Sequence, residues 1–296
     1  MSDPFEGWPL TPASKDDPRV ESFRMLLAVV DRLRRPEDGC PWDLKQTEVS
    51  MGPRLVEEAY EWIEAIETGD VAESETEAGD TLMNLLLMCR IAQDGGRYDL
   101  GSVALNSAAK LVRRHPHVFG DAVETEAEGV LTRWEEIKRQ ERADGGQEDT
   151  SVLSGLPLGL PALVRTARMV NKTMSAGFRW SNVQGAWDKV QEELRELRDT
   201  LPNHALESER KPELSAEERE NIESELGDLI AAAAILGEYL GLDPERACRL
   251  SARRFETRFR QVEKDLGDAM QGADVPTLEK AWQAAKVQIR MAREDA

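Results

Sequence analysis

Apolar residues recur every three to four positions along most of the chain, the spacing that one face of an α-helix requires. In the first half this pattern predicts five amphipathic helices, near residues 20–35, 50–68, 72–94, 99–113 and 122–143. After residue 160 helical patterning resumes and continues to the end. No long stretch alternates with the period of two that marks a half-buried strand. The hydrophobic pattern therefore predicts an all-α protein.

Two stretches interrupt the pattern and predict the domain organisation. Residues 1–19 are rich in Pro, Asp and Gly and lack periodic apolar positions, which is typical of a disordered tail. Residues 143–160 combine Gly, acidic and Pro-containing pieces, as in a linker. The chain of 296 residues is long enough for two domains. We therefore expect an N-terminal helical domain over 20–142 and a C-terminal one over 161–296.

The two predicted domains repeat short motifs in the same order, which is the sequence signature of a duplicated unit. The offset is 135 residues between Glu58 and Glu193 and 148 residues between Asp80 and Asp228, as loops of unequal length would produce. The matched motifs are GCPW (39–42) with GFRW (177–180), EEAYE (57–61) with EELRE (192–196), and ETEAGD (75–80) with ESELGD (223–228).

Charge excludes several classes of partner. The chain carries 57 acidic and 38 basic residues, a net charge of −19, which repels nucleic-acid phosphates and anionic lipids.

Its three cysteines are widely spaced and form no metal or disulfide motif. The N-terminus lacks the features of a secretory signal, and the most apolar run, residues 229–236, is too short to span a bilayer. We expect a cytoplasmic protein without a nucleic-acid or membrane partner.

Carboxylates border the expected core in both halves. In the first half the apolar stripe that we expect to pack is Leu55, Ala59, Trp62, Ile63 and Ile66, and Glu58 and Glu61 lie at its border. In the second half the stripe is Val190, Leu194, Leu197 and Leu201, with Glu193 and Glu196 at the same border. Both the helical face and the letters of the motif are therefore repeated.

The ExxD motif places two more acids one helical turn apart. Glu77 and Asp80 lead directly into LMNLLLMC, a run so apolar that its helix should be buried. Burying ionised carboxylates without a cation costs several kcal/mol. Oxygen ligands without a His or Cys cluster suit Mg²⁺ or Mn²⁺. Four carboxylates from two neighbouring helices would make one such site.

Other interpretations of the acids stay open at this stage. EExxE is frequent on solvated helix faces, and ExxD near a helix start also complements the helix dipole. The chain could then be a non-catalytic acidic helical interaction protein, or one half could be a nucleotide-sensing or dimerising domain. Repetition of both motifs, in register and on the core border, favours a metal site.

Cationic and aromatic side chains recur downstream of the acids. Two like charges four residues apart on a helix repel each other unless an anion such as a triphosphate lies between them. An indole and an ammonium on neighbouring turns could stack a base and bind a phosphate. A solvated basic face and a packed Trp remain the simpler alternatives. The pairs are Lys110 with Arg114, Arg254 with Arg258, Trp134 with Lys138, and Trp282 with Lys286.

Together the motifs GCPWD, LVEEAYEWIEAIE, EAGDTLMNLLL, RRHPHVFGD and WEEIK resemble the MazG family of nucleoside triphosphate pyrophosphohydrolases, over about residues 22–290. The resemblance implies two tandem MazG-like helical domains with four-helix-bundle type cores formed on dimerisation. It also implies a homodimer that binds Mg²⁺ and splits the α,β phosphoanhydride of nucleoside triphosphates. The products would be the monophosphate and pyrophosphate, a reaction that sanitises the nucleotide pool.

Matching positions to the family pattern assigns roles to individual residues. The implied metal ligands are Glu58, Glu61, Glu77, Asp80, Glu193, Glu196, Glu225 and Asp228. The implied nucleotide contacts of the second half are Lys189, Arg254, Arg258, Trp282 and Lys286. An outer carboxylate, Glu57 or Glu192, would position or deprotonate the attacking water. The second half departs from the pattern at Asn221 and Ser224 and the first at Thr76, so which half is active stays open.

Overall fold

A computed structural model of the chain describes residues 8–122, 129–130, 133–134, 137, 141, 151–208 and 210–294. The chain divides into two compact units, Met1–Gln147 and Glu148–Ala296. Apart from two short 3₁₀ turns, all regular structure in the described residues is α-helical, and they contain no strand. The all-α prediction is therefore confirmed. Within the same residues, every helix is too short or too polar to cross a membrane.

Four α-helices of the first unit begin and end within two residues of the bounds that the hydrophobic pattern predicts, and a short fifth helix follows the fourth. They are α1 Pro18–Leu33, α2 Glu48–Thr68, α3 Val71–Asp94, α4 Leu100–Arg114 and the short α5 Pro116–Phe119, with a 3₁₀ turn at Asp43–Lys45 before α2. Of the helix predicted over residues 122–143, six positions between 129 and 141 are described, and all six are helical.

Helix boundaries in the first unit follow from local capping chemistry. The Asp17 side chain accepts a hydrogen bond from the Arg19 backbone N–H at 2.9 Å, and Pro18 occupies the first turn, so α1 begins there. Gly69 ends α2 in the left-handed conformation (φ 76°), which a glycine adopts without steric cost. Asp70 then caps α3. This two-residue connection folds α2 and α3 back to back as a helical hairpin.

The core of the first unit lies between α1, α2 and α3. Its buried residues are Val30, Met51, Leu86, Leu87 and Ile91. The predicted packing stripe of α2 is only partly buried within the chain: Trp62, Ile63 and Ile66 are 37%, 37% and 58% exposed. α2 instead buries Met51 and Ala65, because α3 covers a neighbouring face of the helix.

The second unit repeats the hairpin with a longer connection. Its helices are α6 Ala162–Ser175, α7 Val183–Thr200, α8 Asn203–Leu206, α9 Ala216–Tyr239, α10 Pro244–Leu266 and α11 Val275–Glu294, with a 3₁₀ turn at Gly267–Met270. α7 packs along α9 as α2 packs along α3. Most of the fully buried apolar residues here are alanines, and larger side chains on α9 such as Leu226 and Ile230 remain 45% and 47% exposed.

Candidate functional site

The α2–α3 hairpin brings three of the predicted ligands together. Glu58 projects from α2, and Glu77 and Asp80 project from α3 one turn apart. One carboxylate oxygen from each lies within 4.8 Å of the others, close enough for a single cation. The Gly69 turn sets this register, because it fixes which turn of α2 faces which turn of α3.

Glu77 is the most constrained member of this first acid cluster. It is 9% exposed, and its Oε2 atom is buried without a hydrogen-bond partner among the described residues. Burial, followed by the surrounding negative charges, raises the pKa of Glu77 to about 7. Burial and then the charge of Glu58 also raise the pKa of Glu61. Negative charge therefore outweighs positive charge around the first cluster.

A fifth acid, Glu73, adds to the negative charge around the first cluster and was not among the predicted residues. Its charge contributes to the raised pKa of both Glu61 and Glu77. It lies one turn before Glu77 on α3, and that i, i+4 spacing was the signal that could have identified it. Glu57, the predicted water-positioning acid, is exposed on α2, and its charge also raises the pKa of Glu61.

In the second unit, α7 and α9 assemble two overlapping groups of carboxylates that share Glu193. One group is Glu193, Glu225 and Asp228, the counterpart of the first cluster. The other is Glu192, Glu193 and Glu196 along α7 alone. Glu193 is 4% exposed, so its carboxylate is as buried as that of Glu77.

Lys189 distinguishes this second acid cluster from the first. Its ammonium forms ion pairs with Glu192, at 2.7 Å, and with the buried Glu193. These contacts raise the pKa of Lys189 and lower the pKa of Glu192. Burial, and then the charge of Glu193, raises the pKa of Glu196. The residue predicted to contact nucleotide therefore lies among the acids in the structure.

Both clusters fit a hard divalent cation. Every ligand they offer is a carboxylate oxygen, the donor that Mg²⁺, Mn²⁺ and Ca²⁺ prefer over imidazole or thiolate. In the first cluster a buried oxygen of Glu77 finds no hydrogen-bond partner among the residues described, which is a direct structural reason for a cation. In the second cluster an ammonium already provides part of that charge.

Of the cations predicted for substrate in the first unit, Arg114 is paired with a carboxylate. Its guanidinium donates to Glu141 at 2.6 and 3.1 Å, and Arg113 donates to the same carboxylate at 2.6 Å. These contacts lower the pKa of Glu141. The guanidinium of Arg114 also lies 5.5 Å from the ring centroid of Trp134. Lys110 is exposed, and Lys138 lies outside the described residues.

The equivalent group in the second unit is built from aromatic rings. The guanidinium of Arg258 lies 6.0 Å from the ring centroid of Trp282, and the ring centroid of Phe255 lies 5.1 Å from it. Lys286, one turn along α11, is half-buried, and Arg254, one turn before Arg258, is exposed. The geometry thus groups Arg258 with Trp282, a contact between the two predicted pairs that the sequence did not indicate.

Comparison with known proteins places these clusters in context. The model of the MazG nucleotide pyrophosphohydrolase domain matches residues 46–119, which contain α2, α3 and α4. The chain is 36% identical over 266 residues to the nucleoside triphosphate pyrophosphohydrolase of Escherichia coli (strain K12), covering 89% of this chain and 96% of that protein. It is 34% identical over 268 residues to the nucleoside triphosphate pyrophosphohydrolase/pyrophosphatase MazG of Thermotoga maritima, covering 89% and 95%. A third relative, from Mycobacterium tuberculosis, is 31% identical over 169 residues, 56% of this chain and 49% of that protein.

Proposed function

The chain belongs to the MazG family of nucleoside triphosphate pyrophosphohydrolases and is a hydrolase, and on that premise we propose that it cleaves the α,β phosphoanhydride with Mg²⁺ as cofactor. The products would be a nucleoside monophosphate and pyrophosphate. The observation that carries the proposal is the first acid cluster: Glu58, Glu77 and Asp80 converge, and a buried oxygen of Glu77 has no partner in the described chain.

The carboxylates supply the metal-binding part of the mechanism. Glu58, Glu61, Glu77 and Asp80 would hold the cation in the first unit, and Glu193, Glu196, Glu225 and Asp228 in the second. A bound Mg²⁺ offsets the charge of the triphosphate and acidifies water. Manganese has the same ligand preference and would substitute for it. The fit of an all-oxygen donor set to such ions supports this assignment.

Side chains at the rim would handle the water and the phosphates. Glu57 or Glu192 would orient the attacking water and accept its proton as the anhydride bond breaks and pyrophosphate leaves. Both are exposed carboxylates adjacent to a ligand on the same helix, which supports that role.

We assign the substrate to the cationic and aromatic residues of each unit. In the second unit these are Lys189, Arg254, Arg258, Trp282 and Lys286, and in the first they are Lys110, Arg114, Trp134 and Lys138. Positive side chains in contact with the substrate would counter the net charge of −19, which otherwise slows encounter with an anionic ligand. A guanidinium near an indole, as at Arg258 and Trp282, suits a planar base carrying phosphates.

We further propose that the protein is a homodimer. Trp62, Ile63 and Ile66 form an exposed apolar stripe on α2, and Leu226 and Ile230 form another on α9. Monomeric proteins rarely leave such stripes in water, and a second copy offers a self-complementary cover. Analytical ultracentrifugation of the wild type, beside an Ile63→Asp variant that should be monomeric, tests this assembly.

The proposed reaction is tested with a panel of nucleoside triphosphates in the presence of Mg²⁺. We expect each hydrolysed substrate to give monophosphate and pyrophosphate in equal amounts, with no diphosphate. Excess chelator should abolish turnover, and Mg²⁺ or Mn²⁺ should restore it. Release of diphosphate and orthophosphate, or turnover that persists in chelator, would contradict the proposal.

A further inference from the structure

Trp42 is anchored through its backbone while its side chain stays at the surface. Its carbonyl accepts hydrogen bonds from the Gln46 side chain at 3.0 Å and the Lys45 backbone at 3.1 Å. The next residue, Asp43, is held through its carbonyl by Arg34, which is 8% exposed and also donates to Asp94 at 2.8 and 3.0 Å. Trp42 itself is 47% exposed. A fixed loop that leaves an indole half-exposed buries little of the ring, but it holds the ring where a planar ligand can stack on it.

A cation already lies against this indole. The guanidinium carbon of Arg54 is 5.0 Å from the ring centroid of Trp42, within the range of a cation–π contact. Arg54 is exposed on α2, four residues before Glu58. Residues four apart on a helix share a face, and one turn is about 5.4 Å along the axis. The Trp42–Arg54 pair therefore borders the first acid cluster.

The described residues of the second unit do not repeat this arrangement. At the offset of 135 residues that relates Glu58 to Glu193, Arg54 corresponds to Lys189, which ion-pairs with Glu192 and Glu193. Trp180, the counterpart of Trp42, lies against Gly185 and 5.7 Å from the ring of Tyr239. At this position the cation of the first unit contacts an aromatic ring, whereas the cation of the second unit ion-pairs with the acids.

We propose that Trp42 and Arg54 form a nucleotide-recognition wall in the first unit, with the base stacked on Trp42 and a phosphate bound by Arg54. A planar ring and a forked cation side by side match a ligand that joins an aromatic base to phosphate. The phosphates of such a ligand would extend toward Glu58, one turn away on α2. The inference rests on the proposed function, because it requires a triphosphate at the first acid cluster.

Two ligands distinguish the contribution of Trp42 to binding from that of Arg54. A non-hydrolysable α,β-methylene nucleoside triphosphate carries a base, whereas inorganic tripolyphosphate does not. Affinities are measured by calorimetry with Mg²⁺ on the full chain carrying Glu193→Gln, so that the second cluster contributes less. Trp42→Ala should weaken the nucleotide analogue about tenfold and leave tripolyphosphate within about twofold. Trp42→Phe should restore most of the loss.

Arg54→Gln should weaken both ligands about tenfold, since it removes a charge-assisted phosphate contact. Arg24→Gln, which removes an exposed charge from α1, is the matched control and should change neither affinity. Thermal melts of each variant check that it is folded. Unchanged affinities in the Trp42 and Arg54 variants, or equal losses of both ligands in Trp42→Ala, would overturn the wall.

The same experiment distinguishes this inference from the proposed function. The parent chain is the Glu193→Gln background. If it binds both ligands and the wild type hydrolyses triphosphates, but the Trp42 and Arg54 variants bind as the parent does, only the wall is wrong. If neither the wild type nor the parent chain binds either ligand, the proposed function fails and the wall fails with it.

Discussion

The two acid clusters share the spacing of their ligands within each helix and differ in their electrostatic balance. In the first, Glu77 is buried, has a pKa of about 7, and has one oxygen without a hydrogen-bond partner in the described part of the chain. In the second, the equally buried Glu193 is ion-paired with Lys189. The neighbouring position sharpens the contrast: Glu73 adds a charge to the first cluster, and at the offset of 148 residues the second has Asn221. Motif spacing therefore sets where the carboxylates lie, and flanking residues set how strongly they attract a cation.

The largest expected effect is on turnover. Glu58→Gln and Glu193→Gln each remove a carboxylate ligand, and the double variant should lose more than about 100-fold of pyrophosphate release, since even outer partners of metal ligands cost 10–100-fold. If both units work, each single variant retains the activity of the other unit. Glu75→Gln and Glu220→Gln, exposed acids on α3 and α9, are the matched controls. Full activity in the double variant would contradict the site assignment.

Metal binding without nucleotide should favour the first unit, because none of the described cations is ion-paired with the ligands of its cluster. Mg²⁺ or Mn²⁺ at about 100 times its dissociation constant stabilises a folded protein by about 2.7 kcal/mol, which is a rise of about 5 °C in melting temperature. Differential scanning calorimetry of Glu77→Gln should show that rise removed, whereas Glu225→Gln should keep most of it. An equal loss in both variants would remove the distinction between the clusters.

Removing the internal cation should make the second cluster resemble the first. In Lys189→Met we expect divalent metal to bind the second cluster about tenfold more tightly in the absence of nucleotide, because the competing charge is gone. The KM for triphosphate should rise in the same variant, since Lys189 is also assigned to the phosphates. Calorimetric titration with Mn²⁺ measures the first effect, and Lys264→Met on α10 is the control. An unchanged metal affinity would show that Lys189 does not oppose the cation.

Exchanging the residues that flank the clusters should change metal affinity by a smaller factor, and in opposite directions in the two units. Glu73→Asn should weaken metal binding at the first cluster about threefold, and Asn221→Glu should strengthen it at the second by a similar factor, since each changes one nearby exposed charge. Titrations at low and high salt check the cause, because both changes should shrink as salt screens the charge. A change of the same sign in both units would contradict this explanation.

The smallest effect concerns the stability of the first unit. Arg114 and Arg113 lower the pKa of Glu141 below its ordinary value of 4.5. A lowered carboxyl pKa stabilises the folded state above the ordinary value, and this contribution is lost as pH falls through the folded pKa. Glu141→Gln should therefore cost less than about 1 kcal/mol at pH 7 and less still below pH of about 4. Urea unfolding at the two pH values measures the difference, and a cost that grows on acidification would contradict it.

Helical periodicity predicted much of this architecture from sequence. The i, i+3 spacing of Glu77 and Asp80 places them on one face of any α-helix, and the repeated register pairs that face with the helix of Glu58. Periodicity could not predict contacts that depend on side-chain conformation. Arg54 and Lys189 hold equivalent positions, yet Arg54 contacts an indole and Lys189 contacts two carboxylates. The pairing of Arg114 with Glu141, 27 residues apart, also needs the tertiary fold. The stripe of Trp62, Ile63 and Ile66 has the predicted periodicity but is only partly covered by the described residues.

The Gly69–Asp70 turn has a consequence for how the protein folds. Glu58 and Glu77 are only nineteen residues apart, so the first cluster closes within a single helical hairpin, whereas Glu193 and Glu225 are separated by thirty-two residues. Short loops close at low entropic cost, and contacts local in sequence form early. We therefore expect the repulsion among the first set of acids to arise in the folding transition state, where a divalent ion would speed folding rather than only slow unfolding.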